Sequence, residues 1–190
     1  MSLEIILGPM FSGKTSRIID IYEKCVLSNI NVVVINHASD TRYSTTMLST
    51  HDQKMIPCIL CDSNLYLLNE NADNYKKIEM ASVILINEGQ FFENLFEWVK
   101  YRVDHFKQQV HVCGLDGDFQ REKFGQMLDL IPICDKVTKL RSLCTMCKNG
   151  KKAPFTLRLA KTCQQILIGA DASYAPVCRE CYLMHCDWEN

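Results

Sequence analysis

An α/β fold with a parallel sheet, followed by a small cysteine-bound unit, is the architecture this sequence predicts, and three observations predict it. Short apolar runs alternate with segments of helical period up to about residue 140. A glycine loop, Gly8-Pro9-Met10-Phe11-Ser12-Gly13-Lys14-Thr15, joins the first run to the first helical segment. Beyond residue 141 the alternation stops and two C-x-x-C pairs, Cys144/Cys147 and Cys178/Cys181, take over. The expected division is residues 1–141 as an α/β nucleotide-binding domain and 142–190 as a zinc-binding domain.

The first run, residues 3–7, is short and rich in branched residues and reads as a buried strand. The loop after it has the form G-x-x-x-x-G-K-[ST], the phosphate-binding P-loop. Gly8 and Gly13 let the backbone curl so that successive N–H groups face one anion, and the following helix adds its positive end. Lys14 can reach the β- and γ-phosphates of a nucleotide, and the Thr15 hydroxyl can bind Mg²⁺. Ile18, Ile19, Tyr22 and Val26 then mark the buried stripe of that helix. Residues 31–36 form a second buried strand, so 3–36 read as one βαβ unit whose two strands pair in parallel.

Residues 37–54 are polar and read as a long, functional loop. Residues 55–61 suggest a strand. Residues 62–80, rich in Asn and Asp, hold a short helix at most. Residues 82–87 form a third buried strand, running into Glu88-Gly89-Gln90-Phe91-Phe92. Leu95, Phe96, Val99, Val103 and Phe106 line one side of a helix. Residues 110–115 form a fourth strand, 126–131 a short helix and 136–141 a fifth strand. In parallel sheets ligands bind beyond the carboxyl ends of the strands, and the P-loop, Glu88 and Asp116 all fall there.

Composition narrows the function. Hydrophobic residues make up 47% of the 190, enough for a sizeable core, and a net charge of −1 supplies no basic field for nucleic acid. Lys148, Lys151 and Lys152 are too small a cluster for a duplex footprint. No apolar run is long enough to span a bilayer, and no signal-peptide pattern is evident, so a cytoplasmic protein with neither nucleic-acid nor membrane partner is expected. Eleven cysteines, an odd number beside a nucleotide motif, argue against a disulfide scaffold. Thirty residues separate Cys147 from Cys178, and two such knuckles close a four-thiolate structural Zn²⁺ site. Cys25 and Cys113 read as small core residues, and Cys58 and Cys61 as packing rather than ligands. His185 and Cys186 are less well spaced for a metal. The stretch between the knuckles can serve as a lid.

Glu88, at a strand end beside the P-loop, is placed to accept the proton of an attacking hydroxyl. The acid that supports Mg²⁺ in a P-loop enzyme closes such a strand; here that position is Asn87. Phe92 reads as core. Phe119 and Phe124 lie in a charged loop, where exposed rings would suit a nucleobase.

The P-loop, Asp40-Thr41-Arg42-Tyr43-Ser44, Thr50-His51-Asp52, the Glu88–Phe92 segment, Leu115-Asp116-Gly117-Asp118-Phe119-Gln120-Arg121 and Val177–Tyr182 together resemble the type II thymidine kinases, in order and spacing, from residue 3 to about 182. The resemblance implies a RecA-like P-loop core, a small zinc domain with a lasso loop and a homotetramer. It implies transfer of the ATP γ-phosphoryl group to thymidine with Mg²⁺, giving dTMP and ADP, with dTTP as feedback inhibitor. Residue by residue, it implies Glu88 as general base and Lys14 as stabiliser of the transferred group. Asp40, Arg42, Asn87 and Gln90 fall with the P-loop on the ATP side. Met10, Phe91, Leu115, Phe119, Phe124, Thr156 and Tyr174, with the lasso residues Gln165, Ile166, Leu167, Ile168 and Gly169, fall on the thymidine side. Met10, Leu115, Thr156 and Tyr174 would surround the 5-methyl group. The sequence departs from the family at Asn87, where Asp is usual, and at Ala170, where a second Gly is common.

Overall fold

The computed structural model describes residues 1–39, 47–49, 54–159 and 173–186. Its centre is a six-stranded sheet in which every pairing is parallel: β1 (Ser2–Leu7), β2 (Val32–His37), β5 (Ile59–Cys61), β6 (Val83–Ile86), β7 (Gln109–Gly114) and β8 (Lys136–Lys139). The spatial order is β5-β2-β6-β7-β1-β8. Residues 3–36 do not form the paired βαβ unit expected. β1 and β2 are parallel members of one sheet, but β6 and β7 stand between them. A hydrophobic run records that a strand is buried, and the crossover helix that it is parallel; neither records its neighbour.

Alternation along the strands makes two cores. Leu3, Ile5 and Leu7 point to one face, where they meet α3 (Leu95–Asp104), Ile78 of α2 (Ala72–Met80) and the 3-10 turns at Leu65–Asn69 and Met127–Ile133. Ile6, Val34, Val83, Leu85 and Cys113 point to the other, where α1 (Lys14–Leu27) lies with the antiparallel hairpin of β3 (Met47–Ser49) and β4 (Met55–Pro57). The single strand expected over 55–61 is therefore two. Pro57 closes the hairpin strand, and β5 goes on to the sheet edge, with Cys61 in the core.

In α1, Ile18, Ile19 and Cys25 are buried, whereas Val26 is 51% exposed. The stripe turns one residue earlier than the branched residues suggest. Residues 62–80 are more helical than expected, because their asparagines act as caps. Asn64 Oδ1 accepts from the Tyr66 amide, and Asn71 Oδ1 accepts from the amides of Asp73 and Asn74. In α3, Arg102 lies in the buried stripe at 3% exposure. Its guanidinium stacks on Trp98 and Phe106, and Nη1 bonds Glu79 at 2.6 Å.

Glu4 is an ionisable residue inside the sheet, in register with His111 on β7 and Lys136 on β8. Its carboxylate accepts from Thr138 Oγ1 at 2.8 Å and meets Lys136 Nζ at 2.8 Å and His111 Nδ1 at 3.2 Å. Burial pushes the His111 pKa down from 6.5, against the pull of Glu4; Arg17 and Lys136 push it the same way as burial. Folding therefore favours neutral His111. The unfolded chain takes up that proton first, so stability present above about pH 6.5 is lost as pH falls toward the lower folded value. Denaturant unfolding between pH 8 and 5 should show this loss in wild type and a flatter profile in His111→Gln. Identical profiles would remove His111 as the cause.

After β8 the chain builds a separate small core. An antiparallel ribbon of β9 (Ser142–Leu143) and β10 (Lys152–Ala153) is followed by β11 (Phe155–Arg158), β12 (Tyr174–Val177) and α4 (Arg179–His185). β11 and β12 pair antiparallel. Cys144, Ala153, Leu157, Val177, Cys181 and Tyr182 fill the space between these elements.

Candidate active site

The carboxyl ends of β1, β6 and β7 lie side by side and carry the three segments expected to hold chemistry. At the end of β1 the glycine loop is shaped by close approach. A Cβ on Gly8 would lie 2.9 Å from the Leu140 carbonyl oxygen and 2.7 Å from Ser12 Oγ, so only glycine fits. Phe11 and Gly13 both take left-handed conformations, φ 59° and 85°, and Gly13 caps α1. This is the alternating curl that turns amides toward an anion. Ser12 Oγ is buried with no hydrogen-bond partner among the described residues, and Lys14, 8% exposed, donates to the Pro9 carbonyl at 2.9 Å. The loop thus holds a buried cation, an unsatisfied hydroxyl and a helix N-terminus, a donor set that fits a nucleotide phosphate with its magnesium ion on Thr15.

At the end of β6 the chain turns abruptly. Glu88 is left-handed, φ 55° and ψ 43°, a strained conformation for a non-glycine residue, and it begins a 3-10 turn over Gly89–Phe91. Its side chain is half-buried, and its Oε2 accepts from Gln90 Nε2 at 2.6 Å. Gln90 is buried, and its Oε1 accepts from the Leu115 amide at the end of β7. Asn87 is buried beneath them. Its Nδ2 donates to Asn36 Oδ1 at 2.8 Å, and its Oδ1 accepts from Cys113 Sγ at 3.0 Å, so its amide ties together three strand ends.

The loop after β7 is organised by Asp118, whose Oδ1 accepts from the amides of Gln120 and Glu122. Its two rings are buried, where exposed rings were expected. Phe119 is 2% exposed beneath the Arg158 guanidinium, 3.7 Å from ring centroid to Cζ. Phe124 is 7% exposed and meets Phe91 edge to face, their centroids 5.5 Å apart. Phe91 in turn packs on His37, and Phe92 is core as expected.

The cysteine unit closes over these ends. Thr156 Oγ1 accepts from the Met10 amide at 3.1 Å, a bond from β11 to the glycine loop. The Tyr182 hydroxyl donates to the Phe119 carbonyl at 2.7 Å, and Arg121 lies over the Tyr182 ring. Arg158 donates to the Tyr174 hydroxyl at 2.6 Å while covering Phe119. Arg158, Tyr182 and Asp118 escaped the sequence reading. Arg158 and Tyr182 work through Phe119, distant in the chain, whereas Asp118 makes a local turn that only its spacing to Glu122 hints at. Asp40, Arg42 and residues 165–169 lie outside the described residues.

Cys144, Cys147, Cys178 and Cys181 bring their four sulfurs within 4.8 Å of one another. None is in a disulfide. Burial opposes ionisation of Cys144, but donation from the backbone amides of Cys147, Cys178 and Met146 outweighs it and brings the thiol down to about 6. A thiolate held by amides, three further sulfurs in reach and a helix starting at Cys178 fit a structural metal ion. Burial, with Asp62 adding to it, pushes Cys61 up to about 12, which agrees with a packing role.

The family model for thymidine kinase matches residues 1–182. A thymidine kinase of rice (Oryza sativa subsp. japonica) is 38% identical over 183 residues, 95% of this chain, and the chain spans 66% of the rice protein's length. A thymidine kinase of Amsacta moorei entomopoxvirus is 38% identical, covering 96% of this chain and 98% of the viral one. The cytosolic thymidine kinase of chicken (Gallus gallus) is 34% identical, covering 95% and 76%. No helix among the described residues is long and apolar enough to cross a membrane. With a P-loop on a parallel sheet, a glutamate at the carboxyl end of another strand of that sheet and a four-cysteine cluster, the chain belongs to the thymidine kinase family and is an enzyme of the kinase class.

Proposed function

We propose that this chain transfers the γ-phosphoryl group of ATP to the 5′-hydroxyl of thymidine, with Glu88 as general base. Glu88 takes the proton of the 5′-hydroxyl as that oxygen bonds to the γ-phosphorus. The bond from phosphorus to the β,γ-bridging oxygen breaks, and ADP leaves with the electron pair. Lys14 and the loop amides offset the charge spread over the transferred oxygens. Thr15 would hold the Mg²⁺ that accompanies ATP, an ion that neutralises phosphate charge. The observation that carries this reading is the neighbourhood of Glu88: a carboxylate held by Gln90 at the same sheet end that carries the P-loop, after β1, and the Phe91–Phe124 pair.

The thymidine side is assigned to Met10, Phe91, Leu115, Phe119, Phe124, Thr156 and Tyr174, with residues 165–169. The Met10–Thr156 bond and the Arg158–Tyr174 bond support it. Asp40 and Arg42 beside the phosphates, Zn²⁺ as the metal of the four cysteines, a homotetramer and inhibition by dTTP belong to the same proposal on the family resemblance.

The test is ADP release with thymidine, with deoxycytidine and with no nucleoside. Thymine presents acceptor, donor, acceptor along O2, N3 and O4, and cytosine reverses the pattern at positions 3 and 4. Each buried polar group left unpaired costs about 1–3 kcal/mol. Thymidine should therefore exceed deoxycytidine in kcat/KM by at least roughly tenfold, and no ADP should form without nucleoside. Nucleoside-independent hydrolysis would mark an ATPase instead, and equal kcat/KM for the two nucleosides would refute selection by this edge.

A further inference from the structure

We infer that Gln90 is a positioning residue that aims the Glu88 carboxylate, rather than a ligand of the nucleotide. The inference rests on the reading of Glu88 as general base. Gln90 is 3% exposed, and both ends of its amide are engaged: Nε2 donates to Glu88 Oε2 at 2.6 Å, and Oε1 accepts from the Leu115 amide at 2.9 Å. Only this orientation works, since the flipped amide would set an NH₂ against a backbone N–H and an oxygen against a carboxylate. The amide therefore ties the Glu88 carboxylate, after β6, to the Leu115 backbone at the end of β7.

The surrounding chain is built to hold Gln90 still. A Cβ on Gly114 would come within 2.5 Å of Gln90 Oε1, and one on Gly125 within 2.2 Å of the Gln90 carbonyl oxygen. Two glycines thus give way to this one residue, one at its amide and one at its backbone. Gly125 is also left-handed at φ 56°. Met127, fully buried, fills the remaining space beside Gly114. Glu88 sits in a strained left-handed conformation, which persists only when its surroundings determine it. A bond to a side chain with no freedom of its own supplies that determination.

Three roles for Gln90 predict different kinetics in two variants, Gln90→Met and Gln90→Glu. Methionine keeps the length and loses both bonds. Glutamate keeps the acceptor for the Leu115 amide but replaces the donor facing Glu88 with a like charge. If Gln90 aims the base, both variants lower kcat roughly ten- to a hundredfold, the cost of a misplaced reacting group. The KM values for ATP and thymidine then stay within about threefold of wild type. An anchor for Leu115 alone would leave kcat of Gln90→Met at the wild-type level and lower only its thermal stability, which overturns the proposal. Loss confined to the KM for ATP would return Gln90 to the nucleotide and also overturn it. Glu88→Gln, assayed beside them, separates the two levels. An inactive Glu88→Gln with an unimpaired Gln90→Met refutes positioning and leaves the base in place, whereas an active Glu88→Gln removes the base and this inference with it. Thermal unfolding of each variant checks the fold, and if Gln90→Met does not fold, Gln90→Leu, which also loses both bonds, takes its place.

Discussion

Glu88→Gln is expected to lower kcat by roughly 10²–10⁴-fold, the range for loss of a general base, while ATP and thymidine bind as before. On the barrier this is about 2.7–5.5 kcal/mol. The substitution keeps the length and planarity of the side chain and an oxygen that can accept from Gln90 Nε2. It removes only the capacity to take a proton. Gln has no steric reason to leave the left-handed conformation at φ 55° if the carboxylate tolerates it. Binding should survive because the groups assigned to ligands lie elsewhere: the amides and Lys14 of the glycine loop for ATP, and the Phe91–Phe124 pair and Thr156 for the nucleoside. Equilibrium binding of both ligands, followed by single-turnover phosphoryl transfer, separates the steps. Turnover within a few-fold of wild type would remove Glu88 from the base role. Loss of thymidine binding would show that the carboxylate holds substrate as well.

How much of this was legible depends on the range of the interaction that makes each feature. The glycine loop was readable because its geometry is local: positive φ at Gly13, close approach at Gly8 and a lysine entering the helix. The strands were readable because burial on both faces leaves long apolar runs. Strand order was not, since β1 and β2 carry no mark saying that β6 and β7 will separate them. Arg102 defeated the helical-stripe reading because its burial needs two rings and Glu79, partners that a one-dimensional pattern does not weigh. At the site, Glu88 and the cysteine pairs announced themselves by position and spacing. Arg158 did not, since its place over Phe119 depends on two segments nearly forty residues apart coming together. Asn87 invited a metal-side reading by position alone. Its amide bonds Asn36 and Cys113, tying β2, β6 and β7 at their carboxyl ends.

Removing the metal should disable the nucleoside side before the sheet melts. The cysteine unit cannot stand on its own core. Among its described residues it has two short two-stranded ribbons and a seven-residue helix, and neither an isolated hairpin nor so short a helix is stable in water. Its buried residues are mostly small, Ala153, Ala175 and Val177 among the cysteines, with Leu157 and Tyr182 the larger ones. Apolar burial of that size cannot offset the entropy of ordering the segment. Four thiolates on one zinc ion can, since structural zinc sites contribute on the order of 10–16 kcal/mol. The unit in turn supplies three contacts to the site: Thr156 to the Met10 amide, Tyr182 to the Phe119 carbonyl and Arg158 over the Phe119 ring. Two of them hold Phe119 and the third comes from Thr156, both assigned to the thymidine side, while Lys14 and the helix N-terminus belong to the α/β core. Chelation, or Cys178→Ser at the start of α4, should therefore raise the KM for thymidine more than tenfold, about 1.4 kcal/mol or more in binding, and change the KM for ATP far less. Calorimetry should resolve an early, metal-dependent transition ahead of the main one. Metal analysis should find one zinc per chain in wild type and none in the variant. An unchanged thymidine KM after full chelation would show that the four cysteines stabilise only themselves, and zinc absent from wild type would refute the site.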